Sequence, residues 1–202
     1  MSGRTNDPRG MRRKITRAAF ELFARDGYNA TAMQSVRNHA GVSSGAFAHH
    51  FPTKHELGLA VIQEDVTAAI ASTWIAPIER AATAREGVEI VFRSIIGDIE
   101  AAGGSEGCPL GNLAAELSTQ DAAFRSALQE IFESWTSAIT RKLRSDAKGT
   151  SLTDEELASL ADFVVAAFTG GIIMAKASRS AAALRASLKP VLRSLQVSQI
   201  QH

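Results

Sequence analysis

The chain of 202 residues has a single cysteine, Cys108, so it closes no disulfide within itself and is not a small disulfide-held fold. No sign of charge dominates either: 22 Lys and Arg stand against 21 Asp and Glu, a net charge of +1. A surface for a polyanion therefore has to come from arrangement, not from the total. The longest nearly apolar run, residues 163–175, falls short of the ~20 residues that span a bilayer and is bounded by Asp162 and Lys176. The first ten residues are polar and lack the apolar centre of a signal peptide. A soluble, cytoplasmic protein with no membrane partner is expected. No glycine-rich phosphate loop, HExxH or GxSxG is present, so nothing points to an enzyme or calls for a cofactor. His49, His50 and His55 lack the spacing of an established metal site. No period-two strand pattern and no internal repeat is found.

The charge that is present is unevenly placed. Residues 1–60 hold nine basic against four acidic residues, whereas the remainder holds thirteen against seventeen. A basic head on an acidic body suggests that the head alone meets a polyanion; a chance clustering of solvated charges gives the same count.

Apolar residues recur with helical spacing throughout. Ile15, Ala18, Ala19, Leu22 and Phe23 form one stripe, stopped at Gly27. Thr31 offers a hydroxyl to cap a second helix with Met33, Val36 and Ala40 inside. Gly41 ends it, Ser43 can cap a third, Phe47 and Phe51 point the same way, and Pro52 closes it. Two short helices about a glycine turn, braced by a longer one, are a helix-turn-helix signature. Further helices are predicted from about Lys54 to Trp74, Arg85 to Ala101, Leu110 to Leu117 and Asp121 to Lys148. Thr153 and Glu156 open another through Lys176 as a capping box, and Ser180 to Leu195 forms the last, strained or broken near Pro190. The fold class is all-α: a flexible basic arm (1–10), a three-helix helix-turn-helix head (11–56) and a helical ligand-binding and dimerisation body (57–202).

Arg13 to Val61 resembles the head of the TetR family. The residues that carry the likeness are Ala19-Phe20-Glu21-Leu22-Phe23, Gly27-Tyr28, Thr31, Ala40-Gly41-Val42-Ser43-Ser44-Gly45-Ala46-Phe47 and His50-Phe51-Pro52-Thr53-Lys54. About 50 residues with many spaced positions make this far more specific than a lone motif. Ala48 replaces the family's tyrosine, which removes one phosphate contact. The resemblance implies a repressor that binds a palindromic operator as a homodimer and is released by a small-molecule inducer, with electrophiles among the candidates. A DNA-organising or protein-regulated relative without an inducer is the alternative.

By that resemblance the third helix enters the major groove with Ser44, Gly45, Ala48 and His49, flanked by Ser43, Ala46 and His50. Gln34 reads a base or is a plain surface amide. Arg37, Thr31 and Lys54 meet phosphates. Arg9, Arg12, Arg13 and Lys14 precede the first helix as an arm along the DNA, or are a passive tail. In the body, Phe92, Ile96, Cys108, Leu110, Asn112, Phe132, Trp135 and Phe168 are the candidate ligand residues. Phe163, Ala167, Gly171, Ile172, Leu188 and Leu195 are the candidate dimer residues, with Gly170 and Gly171 allowing close helix approach. Cys108, ahead of Pro109, sits at a helix start that favours a thiolate and an electrophile sensor; a buried structural cysteine is the bland alternative.

Overall fold

The computed structural model describes residues 7–147 and 151–196. Among them the ordered elements are all helical: α1 (Pro8–Asp26), α2 (Met33–Ala40), α3 (Ser44–His50), α4 (Lys54–Ala60), α5 (Thr67–Ile70), α6 (Ala76–Arg80), α7 (Ala84–Ala102), α8 (Pro109–Leu117), α9 (Ala122–Asp146), α10 (Asp154–Ser178) and α11 (Ala182–Ser194). Two π-helical segments, Val61–Val66 and Ala71–Ile75, join α4 to α5 and α5 to α6. The chain divides into two compact units: residues up to Thr67 with Asn112–Leu128, and Ala68–Gly111 with the chain from Gln129 onward. The division differs from the expected cut at residue 56, because part of α8 and α9 bonds to the head.

In the first unit α1 begins earlier than its apolar stripe announces. Asp7 accepts the Gly10 N–H at 2.9 Å, and Pro8 occupies the first turn, where its missing N–H costs nothing. Arg9, Arg12, Arg13 and Lys14 are therefore helical residues, not an arm ahead of the helix; residues 1–6 of the expected arm lie outside the described residues. α2 is capped by the backbone of Ala32 with no side-chain bond. Thr31, expected as that cap, is buried and donates its hydroxyl to the Gly27 carbonyl at 2.7 Å. Gly41 takes the left-handed conformation (φ 59°) that closes α2, and the Ser43 hydroxyl caps α3 through the Ala46 N–H. Ile15, Ala19, Phe23, Val36, Phe47 and Phe51 form the core that holds these helices.

Helical residues run from Lys54 to Arg80 instead of stopping before Pro77. Pro77 lies in the first turn of α6, directly after a π turn in which the Ala76 N–H reaches the Ala71 carbonyl, so the missing proline N–H interrupts no bond.

The second unit is built on four interlocked rings. Trp74 meets Trp135 and Phe168 at 4.6 Å each and Phe92 at 5.8 Å, all edge-on or tilted, the favoured aromatic geometry. α10 opens with the expected capping box between Thr153 and Glu156. α11 continues through Pro190 instead of breaking there. Leu188, Val191 and Leu192 are buried on either side of the exposed proline, and packing on α7 and α10 outweighs the lost bond. α10 is long and apolar enough to cross a membrane by length and composition. It is apolar on two faces, one buried and one outward.

Candidate nucleic-acid interface and ligand cavity

Burial of Phe47 and Phe51 fixes which side of α3 faces out. Ser44, Gly45, Ala48 and His49 are exposed, with Ala46 and His50 partly so. A Cβ on Gly45 would meet nothing within 4 Å, so packing within the chain does not demand glycine here. The face is tied to α2: Arg37 donates to the Ser44 hydroxyl and, at 3.2 Å, to the Asn38 side chain. Gln34 is exposed, and its amide reaches only Asn38, at 3.5 Å. These residues stand together as expected.

Two cations, Lys54 and Arg12, behave otherwise. The Lys54 ammonium donates to the Asn29 carbonyl at 3.1 Å and lies 4.6 Å from the centre of the Tyr28 ring. Burial pushes it below the usual lysine range, against an opposing pull from Glu116. Lys54 is thus engaged with the α1–α2 turn instead of standing free for phosphate. Arg12 pairs with Glu64, its guanidinium 4.7 Å over Phe51. Arg13 and Lys14 remain exposed on α1.

The same turn is braced from α8. Glu116 accepts the Tyr28 N–H at 2.8 Å and the Asn29 N–H at 2.6 Å. Tyr28 sits between Phe23 and Phe124, 5.1 and 5.3 Å away, and burial raises its phenol. Gly58 makes room for this stack: a Cβ there would lie 2.7 Å from Tyr28 and 3.0 Å from Phe124. Sequence reading missed Glu116 and Gly58. The one available signal was a lone carboxylate in α8, whose only other polar side chain is Asn112.

In the second unit a cavity of about 170 Å³ is lined by Ile70, Thr73, Trp74, Cys108, Phe168 and Ile172, among others. Of the expected ligand residues, only Cys108 and Phe168 line it. Phe92, Ile96, Leu110 and Trp135 are packed into the core behind, Phe132 stacks on Trp135, and Asn112 belongs to the other unit. Ile172, expected at a dimer face, lines the cavity, and Trp74 was not foreseen. Trp135 is fully buried against Trp74 and Phe168, and its indole N–H finds no acceptor among the described residues; the buried Thr169 hydroxyl oxygen is likewise unpartnered. Cys108 does not fit the reactive reading. It is 8% exposed, and burial pushes its thiol above the ordinary range, with bonds from the Gly111 and Leu110 amides pulling the other way without offsetting it.

The expected dimer residues also divide. Gly171 admits Leu184 of α11, whose side chain would lie 3.2 Å from an added Cβ, and Leu188 and Leu195 are buried within the chain. Phe163 alone is fully outward, Ala167 partly. The outward stripe on α10 is Phe163, Ala166, Gly170, Ile173 and Met174, at i, i+3, i+7, i+10 and i+11, and its three large members are 45%, 53% and 61% exposed.

An all-helical chain with an outward recognition helix behind a glycine turn is a helix-turn-helix DNA-binding regulator. Residues 15–61 match the sequence profile of bacterial regulatory proteins of the tetR family, and residues 84–189 match that of the C-terminal domain of LmrA/YxaF-like transcriptional regulators. The chain belongs to the TetR family of transcriptional regulators, which are not enzymes. It is similar to the HTH-type transcriptional repressor DhaR of Mycobacterium sp. (strain GP1), 29% identical over 92% of each chain. It is also similar to the HTH-type transcriptional regulator LmrA of Bacillus subtilis (strain 168), 26% identical over 86% of this chain and 90% of that one. A solved TetR family regulator from Cytophaga hutchinsonii superposes with a TM-score of 0.83 at 17% identity, covering 99% of this chain and 100% of that one, which shows the shared fold.

Proposed function

We propose that this protein is a cytoplasmic, homodimeric repressor that leaves its operator when a compact small molecule occupies the Trp74–Phe168 cavity. The observation that carries the inducer reading is that cavity, walled mainly by the apolar side chains of Ile70, Trp74, Phe168 and Ile172. A cavity of about 170 Å³ suits a molecule the size of a small benzene derivative, since about 150 Å³ accommodates benzene. It also favours a ligand-responsive regulator over a DNA-organising relative without an inducer. Repression is the role named for the mycobacterial relative. Dimerisation is supported by the α10 stripe, an apolar surface otherwise left to water. Ser44, His49 and Gln34 would read the major groove, two heads meeting half-sites ~34–36 Å apart or a multiple of that.

Binding alone does not release DNA; the ligand has to favour the released state over the bound one. The test is footprinting to find the operator, followed by titration of compact apolar compounds while the fluorescence of Trp74 and Trp135, the chain's two tryptophans, is followed. A compound that quenches the tryptophans and frees the operator over the same concentration range supports the reading. Quenching that leaves operator affinity unchanged for every compound contradicts it.

A further inference from the structure

The second unit carries another concavity, separate from the Trp74 cavity and sharing no residue with it, on the faces that α7 and α11 turn toward each other. On α7, Arg85, Glu89 and Arg93 recur every fourth residue and so share one side. On α11, Arg185, Lys189 and Arg193 repeat the same spacing, with Leu188 and Leu192 between them. Together they enclose a groove of about 490 Å³, within the range of ligand clefts. Arg185 pairs with Glu100 near the end of α7, so the helices run antiparallel and Arg193 lies toward Arg85.

The groove is apolar at the bottom and cationic at the rim. Leu188 and Leu192 are each 8% exposed. Glu89 serves two arginines, at 2.7 Å from Arg93 and 3.8 Å from Arg85. Lys189 and Arg193 have no carboxylate within ion-pair distance among the described residues. Five cations against Glu89 and Glu100 leave three unmatched positive charges on a body whose sequence is acidic overall. In addition, the Arg85 Nε is shielded from solvent and has no acceptor among the described residues. An anionic oxygen would satisfy it.

We propose that this groove binds an amphipathic anion, with its aliphatic chain on Leu188 and Leu192 and its carboxylate or phosphate head among Arg85, Lys189 and Arg193. A bare inorganic anion makes no use of the leucine floor, and a nucleic-acid backbone needs no apolar cleft between its phosphate contacts. The body would then sense two chemistries at two places: a compact apolar ligand inside, and a chain-bearing anion here.

Calorimetric titration of the full-length protein with octyl phosphate, octanoate, octanol and inorganic phosphate, each as monomer, separates the contributions. Octyl phosphate, octanoate or both should bind at least tenfold more tightly than octanol and inorganic phosphate, and the stronger of the two identifies the head group. The paired substitution Lys189→Glu with Arg193→Glu should weaken that binding at least tenfold, and the milder Lys189→Gln with Arg193→Gln should weaken it less. Ala69 also lines the Trp74 cavity, and Ala69→Phe, which fills it, should leave this binding unchanged. Several results would overturn the proposal: octanol binding as tightly as octyl phosphate, indifference to both charge variants, loss of binding in Ala69→Phe, or no binding of any probe because a second copy of the chain covers the groove. So would charge variants that weaken duplex DNA or anionic vesicle binding while sparing octyl phosphate.

Discussion

Replacing Glu116 by alanine removes the carboxylate that holds the turn between α1 and α2. Its bonds to the Tyr28 and Asn29 amides, 2.8 and 2.6 Å, are both short and both charge-assisted. Hydrogen bonds to a charged group contribute about 1.5–3 kcal/mol each. Asn29 is exposed, so water replaces most of its share, whereas Tyr28 is buried among Phe23 and Phe124. The net loss should be about 2 kcal/mol, which shifts the folding equilibrium by about thirtyfold. Glu116→Gln keeps one carbonyl acceptor and should lose about half as much. Urea unfolding followed by circular dichroism measures both variants, with the wild-type slope retained. A Glu116→Ala protein within about 0.5 kcal/mol of wild type, the range of an ordinary surface change, would refute the claim that this carboxylate holds the turn.

Gly58→Ala should cost about 1–3 kcal/mol by overpacking, because the new methyl would stand 2.7 Å from Tyr28 and the rings have buried neighbours on their far sides; denaturant midpoints check it. Asp65→Asn should raise the melting temperature at pH 7. Burial raises the Asp65 carboxyl, with Glu64 adding to the effect and Thr16 opposing it, and one of its oxygens is buried without a partner. The folded wild type therefore gains stability as pH falls and the carboxyl protonates, so the advantage of the asparagine variant should shrink toward acid; melts from pH 4 to 8 would show a constant gap if this reasoning fails. Cys108 should alkylate more slowly than a free thiol at pH 7–8 and reach the free rate only on unfolding. A native rate equal to or above that of glutathione would restore the sensor reading.

The outline of this fold was written in local signals. Gly27, Gly41 and Pro52 punctuate the head, and the capping box at Thr153 opens α10 where expected. The outward face of α3 followed from two phenylalanines four residues apart. What local pattern does not encode is which of two apolar faces turns inward: Ile172, Leu188 and Leu195 read as interface residues and are core or cavity, while Ile173 and Met174 are outward. Cys108 shows the same limit. Its place before Pro109 was legible, but its burial depends on residues far along the chain, and burial outweighs the helix start. Lys54 read as a phosphate contact because its partners, Asn29 and Tyr28, lie 25 and 26 positions away.

The central claim is that two recognition helices of a dimer grip one duplex through its phosphates and base edges. Fluorescence anisotropy on the footprinted operator, titrated at rising salt with stoichiometry fixed by sedimentation, tests it most directly. The account predicts two protomers per paired half-site. It also predicts an affinity that falls about a thousandfold between 50 and 200 mM salt if some six phosphates are contacted, and a further collapse on His49→Glu. A monomer on DNA, or an affinity indifferent to both salt and His49→Glu, would contradict it.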